Sequence, residues 1–193
     1  MCHHPLATKD LVPLFSWLYL GGRCRYCHAR IQDSPLVELS LATVFALSYL
    51  WWPLPLHGAE LGMFVFWLGV SVVFMALTVY DLRWFLLPDR LVYPLIAVAL
   101  LHTAVVAIIN HDAWFALSAV LAALLLSGMF YVLYVMSAGK WIGGGDVKLA
   151  VVLGLLAGTP LKAMVLLFFA SAIGTLVSLP LILKYGKASM RAK

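Results

Sequence analysis

Six long apolar stretches run through this chain and leave few folds open to it. They lie at roughly 36–56, 61–80, 91–109, 113–137, 147–158 and 161–183. A backbone inside hydrocarbon must satisfy its own polar groups, so only helices and closed barrels cross a bilayer. A spanning helix needs about 20 predominantly apolar residues. No stretch alternates apolar and polar residues as a barrel strand does. The expectation is an all-α fold, a polytopic membrane bundle of about six transmembrane helices. Composition agrees, with 64% of the 193 residues hydrophobic and 11% charged, against about 25% charged in soluble proteins. The fifth stretch is short and closes at Gly158-Thr159-Pro160, a turn signal. Residues 1–35 are polar or mixed, rich in Cys and His, and carry no cleavable signal pattern. The chain therefore divides into a cytoplasmic Cys-containing segment, 1–35, and a transmembrane domain, 36–193.

Charge orients the bundle, because Lys and Arg concentrate on the cytoplasmic side. With the N-terminus inside, Lys9, Arg23, Arg25, Arg30, Arg83, Arg90, Lys140, Lys148, Lys184, Lys187, Arg191 and Lys193 all fall inside. Lys162 alone falls outside, and both termini are then cytoplasmic. The net charge of +5 is thus a topology signal and no footprint of nucleic-acid binding. Its natural partner is an anionic inner leaflet of the lipid bilayer.

On this topology two aspartates reach the same membrane face. Asp81 ends the second span, and Asp146 opens the fifth after Gly143-Gly144-Gly145. An ionisable residue at such a place is a functional candidate. Glycines present no side chain and let another backbone approach closely. Two carboxylates brought within a few ångströms cannot both ionise easily. The ionised one can then take a proton from water while its partner protonates a carbonyl oxygen. This is aspartic-protease chemistry, and the proteolytic step calls for no cofactor. The candidate site is therefore Asp81 and Asp146 as catalytic pair, with Gly143, Gly144, Gly145 and Lys148 on the substrate side.

Plainer roles compete at each position. Either aspartate could be a cap or an interfacial anchor. Asp89, after Pro88, is a rival second carboxylate, although it better suits the N-cap of the third span. Lys148 could bias the pair toward ionisation or anchor its span among headgroups. Gly154 and Gly158, and likewise Ser171, Gly174 and Ser178, fit close helix packing. His102 fits a buried, hydrogen-bonded histidine. Asp10, Asp33 and Asp112 look like ordinary loop charges. Leu11–Trp17 could be a core strand or helix, but with Leu18, Tyr19 and Leu20 the stretch is apolar and precedes basic residues, which better suits the membrane surface.

The motifs together resemble a known family. Asp81-Leu82-Arg83 with Leu87-Pro88-Asp89, and then Gly143-Gly144-Gly145-Asp146-Val147-Lys148-Leu149, are similar to the type IV prepilin peptidases, of the GxGD class of aspartyl proteases. Upstream, Leu11–Leu18 and Gly22-Arg23-Cys24-Arg25-Tyr26-Cys27 resemble the cytoplasmic segment of that family. The resemblance implies a bacterial inner-membrane endopeptidase that removes the leader peptide of prepilins or pseudopilins at the cytoplasmic face. Its catalytic aspartates would fall on Asp81 and Asp146. Many members also methylate the new N-terminus with S-adenosylmethionine, so that cofactor is an open expectation, and a homodimer is an open partner state.

The cysteines carry a further expectation. Cys24-x-x-Cys27 is half of a zinc-ribbon pattern, and the family often has two such pairs. Cys2 takes the place of one cysteine of the other pair, whose partner would precede Met1. The chain is therefore expected to be shortened at its start. A closed structural zinc site needs four ligands; Cys2, Cys24 and Cys27 supply three, and His3, His4 or His28 could add the fourth. Reduced, unligated thiols are the competing reading. A preflagellin-type peptidase and a catalytically inactive membrane assembly factor are the alternative functions.

Overall fold

The computed structural model describes residues 7–30 and 35–185, in two compact units, Met1–Phe85 and Leu86–Lys193. Among the described residues the regular structure is helical, apart from one isolated antiparallel bridge between Arg23 and Arg30. Asp33, Cys2, His3 and His4, and the terminal cations Lys187, Arg191 and Lys193, lie outside the described residues.

In the first unit a single 3-10 turn, Thr8–Leu11, leads into α1 (Pro13–Tyr19), followed by α2 (Leu36–Trp51) and α3 (Gly58–Trp84). The apolar stretch after Leu11 is thus a short helix, and its Phe15, Leu18 and Tyr19 are exposed. Asp10 is no ordinary loop charge. Its side chain is 5% exposed and accepts hydrogen bonds from Arg25 Nε at 2.8 Å, Tyr26 Oη at 3.0 Å and the Ala7 amide at 3.1 Å. The hydrogen bond from Arg25 holds the Asp10 carboxyl below its usual range. The same cluster raises the Tyr26 phenol above its usual range, through its hydrogen bond to Asp10. Further along, the Trp67 indole donates to Ser48 Oγ at 2.9 Å, joining α3 to α2.

The second unit contains α4 (Asp89–Ile109), α5 (Ala113–Met136), α6 (Gly144–Ala157) and α7 (Pro160–Tyr185). The turns between them follow from the sequence. Asp112 is the N-cap of α5, its Oδ1 accepting from the Phe115 amide at 3.1 Å, where a plain loop charge was expected. Gly158 ends α6 in the left-handed region, φ +73°, where a side chain would be strained. Thr159 Oγ1 then accepts from the Lys162 amide at 3.3 Å, and Pro160 takes the first helical position, where its missing N–H costs nothing.

Among the described residues four helices are long and apolar enough to cross a membrane: α3, α4, α5 and residues Pro160–Pro180 of α7. The 16-residue α2 is apolar but shorter. The 14-residue α6 rises about 21 Å, less than the roughly 30 Å of a hydrocarbon core. Among the described residues the fold is all-α, with the helices of a multi-pass membrane protein, as its apolar stretches require.

Small residues set the packing of the second unit. Ala119, Ala122 and Ala123 on α5 are buried, as are Ala150, Val152 and Leu155 on α6. At their crossing a Cβ on Gly154 would stand 2.4 Å from Ala123 Cα. Gly154 therefore packs as expected, with the helix backbones in direct contact. Gly158 packs closely as well as ending the helix: it is buried, and a Cβ there would stand 3.1 Å from the Phe115 ring. On α7 the packing expectation fails: Ser171, Gly174 and Ser178 are exposed, and a Cβ at Gly174 would meet nothing within 4 Å among the described residues. His102 is half-buried on α4 where full burial was expected.

Candidate active site

Asp81 belongs to the first unit, and Gly143–Asp146 with Lys148 to the second. Helix α3 continues past the expected end of its span, so Asp81 sits in the last helical turn and is exposed. Phe85 closes that helix in the left-handed region, φ 51°, and its amide donates to the Asp81 carbonyl at 2.8 Å. The backbone of Asp81 is thereby fixed by the helix stop that follows it.

Asp146 opens α6. Gly143 is the N-cap, with extended φ −76° and ψ 151°, and Asp146 is the third helical residue. Its Oδ2 accepts from the Gly143 amide at 3.0 Å, and its own amide donates to the Gly143 carbonyl at 3.1 Å. The carboxylate is turned back over the helix start, where the exposed amides favour a negative charge. Asp146 is half-buried.

The three glycines differ. A Cβ on Gly145 would meet Leu87 Cβ at 2.8 Å, so the space it leaves is filled from within the unit. A Cβ on Gly144 would meet the Tyr134 ring at 3.9 Å, and one on Gly143 would meet Asp146 Oδ2 at 3.4 Å, both ordinary contacts. The approach to this turn is braced by Ser137. Its hydroxyl donates to the Tyr134 carbonyl at 3.2 Å and accepts from the Trp141 amide at 3.3 Å.

Lys148 reaches away to α4. Its Nζ donates to Asp89 Oδ1 at 2.7 Å and stands 4.9 Å from the Tyr93 ring centroid. Asp89 is accordingly not a side-chain cap. Pro88 is the N-cap of α4, Asp89 is its first residue, and no side chain caps that end. Sequence reasoning named Asp89 and Lys148 separately and missed their pairing, as well as Tyr93. The available signal was the spacing of Asp89 and Tyr93, four residues apart on one helix face.

Cys24 is half-buried and Cys27 exposed. The turn that carries them is closed by the Cys24 amide on the Ala29 carbonyl and the His28 amide on the Cys24 carbonyl, each at 2.9 Å. Among the described residues no group of three or more His, Cys, Asp or Glu could hold a metal. The described thiols alone do not make a four-ligand zinc site, and Cys2 lies outside the described residues.

Residues 68–179 match the Type IV leader peptidase family, and residues 1–52 match the Bacterial Peptidase A24 N-terminal domain. The prepilin leader peptidase/N-methyltransferase of Aeromonas hydrophila is 33% identical over 184 residues, covering 94% of this chain and 60% of that protein. The protein of the same description from Pseudomonas aeruginosa is 31% identical over 179 residues, covering 91% and 58%. A type 4 prepilin-like proteins leader peptide-processing enzyme of Escherichia coli O78:H11 is 40% identical over 89 residues, covering 46% and 31%. The chain spans about 60% of the length of the Aeromonas relative. No solved structure matches it. The first match includes Asp81, Asp89, Gly143–Asp146 and Lys148 and takes in more than half of the chain, and on that footing the chain belongs to the type IV leader peptidase family.

Proposed function

We propose that this chain is a membrane aspartyl endopeptidase that removes the leader peptide of type IV prepilins or pseudopilins at the cytoplasmic membrane face. Asp81 and Asp146 act together in it. One carboxylate takes a proton from water as the water attacks the scissile carbonyl, and the other donates a proton to the carbonyl oxygen. The first carboxylate then gives its proton to the leaving nitrogen while the second takes back the proton on the oxygen, and collapse of the tetrahedral intermediate expels the new N-terminal amine. The observation that carries the reading is the seat of Asp146, a half-buried carboxylate on a glycine-built helix start within the family match. Gly143 and Gly144 leave that start open to a substrate backbone.

The Lys and Arg bias supports cytoplasmic termini in a bacterial inner membrane. A structural zinc on Cys24, Cys27 and Cys2, and methylation with S-adenosylmethionine, extend the same proposal to the first unit. Zinc analysis of the purified protein and the mass of the product address each directly.

Incubation of the purified protein with a prepilin, read by mass spectrometry, tests the core of the reading. The wild type should release the leader, and any methyl transfer appears as added mass on the mature product. Asp81→Asn and Asp146→Asn should each abolish cleavage while the protein stays folded in the membrane. Full cleavage by either variant would sink the paired mechanism.

A further inference from the structure

Asp146 rides on the first turn of a 14-residue helix whose first two residues and N-cap are glycines. Glycine loses more freedom on ordering than any other residue, and helix ends are where local opening is easiest. A carboxylate that must meet a scissile bond cannot tolerate that freedom, since a shift of about 1 Å can cost about 100-fold in rate.

The segment around the start of α4 holds this turn at two points. Leu87 fills the space left by Gly145, and Asp89 with Tyr93 grips Lys148. Lys148 follows Asp146 by two residues, about 200° around the helix, so the grip leaves the Asp146 face clear. The side chains of the pair are 33% and 55% exposed, and ion pairs so exposed add little to global stability. Their effect falls on the register between the two helix starts.

We propose that the Asp89–Lys148 ion pair, seated beside Tyr93, is a positioning pair that orders the Gly143–Asp146 turn and so sets the orientation of the Asp146 carboxylate. The catalytic consequence rests on the peptidase reading above, whereas the ordering of the turn does not.

The test uses the full chain in nanodiscs, with Asp89→Asn, Lys148→Gln and the reversed pair Asp89→Lys/Lys148→Asp. Amide hydrogen exchange across 140–149 should speed up about 10-fold in each single variant, with α5 unchanged, and should slow again in the reversed pair. In prepilin cleavage, kcat should fall about 10-fold to 100-fold in the single variants with KM held, and the reversed pair should recover most of it. Unchanged exchange in Asp89→Asn overturns the proposal. So does a rise in KM with kcat held, which would make Lys148 a substrate contact. A wild type that cleaves no prepilin removes the peptidase reading, and the exchange result then decides the ordering role alone.

Discussion

The Lys148 ammonium lies 2.7 Å from the Asp89 carboxylate, across 59 residues of sequence. It ties the helix that begins at Pro88-Asp89 to the helix that carries Asp146. Because both partners are substantially exposed, solvent screens their attraction. Asp89→Asn should therefore leave the unfolding midpoint of the detergent-solubilised protein close to that of the wild type. A large drop would show that the pair carries the fold of the second unit, a heavier duty than holding one turn in register.

Leu87 and Gly145 meet at a contact with no slack. A methyl group on Gly145 would come within 2.8 Å of Leu87 Cβ, and overpacking of this kind costs about 1–3 kcal/mol. Gly145→Ala should lower stability by that order and slow leader cleavage. Leu87→Ala in the same chain should recover little of either, because alanine keeps the Cβ that stands 2.8 Å away, whereas Leu87→Gly, which removes that atom, should recover more. Gly143→Ala is the control: its φ of −76° suits any residue, so thermal unfolding should hardly move. Failure of Leu87→Gly to relieve Gly145→Ala would place the obstruction elsewhere.

The crossing of α5 and α6 offers a sharper contrast. At Gly154 the obstructing atoms are backbone, with Ala123 Cα at 2.4 Å and Ala123 N at 2.6 Å, and no substitution can remove backbone as it can a leucine side chain. Gly154→Ala should cost about 3 kcal/mol or more, or keep the protein from accumulating in the membrane. On α7, Gly174→Ala should be tolerated, since nothing among the described residues within 4 Å would oppose it and alanine favours helix by about 1 kcal/mol over glycine. Membrane levels and unfolding midpoints of the two variants distinguish these outcomes.

Much of this could be read from the residues alone, and the reasons differ by feature. Helix class and approximate limits follow from apolar runs, which obey a bilayer length rule. The stop at Gly158-Thr159-Pro160 follows from local chemistry that needs no tertiary partner, whereas α6 begins at Gly144, ahead of the apolar stretch expected from 147. What escaped were relationships across space. Asp89 looked like a cap because Pro88 precedes it, yet a residue 59 positions later claims its carboxylate. Asp10 and Asp112 looked alike as loop charges. One is buried under Arg25 and Tyr26, and the other caps α5. Small residues on α7 match the packing pattern of Gly154, but spacing cannot say which helix face receives a neighbour.

The Asp10 cluster makes a prediction with two pH limits. Asp10 is held below its usual carboxylate value of 3.8, first by the hydrogen bond from Arg25. A carboxyl depressed on folding contributes stability above its unfolded value, and that contribution fades as pH falls through the folded one. Tyr26 is raised above its usual 10.0, first by its hydrogen bond to Asp10. Its contribution is complete below the unfolded value and fades as pH rises through the folded one. The cluster should therefore hold the 23–30 turn throughout the neutral range and release it only at the acidic and alkaline extremes. Tyrosinate absorbance, taken as the difference from Tyr26→Phe, should show Tyr26 ionising later than an ordinary tyrosine. Asp10→Asn should return it toward the ordinary value, because the charged acceptor is gone. A Tyr26 titration unmoved by Asp10→Asn would mean that the phenol and the carboxylate are not bonded in solution.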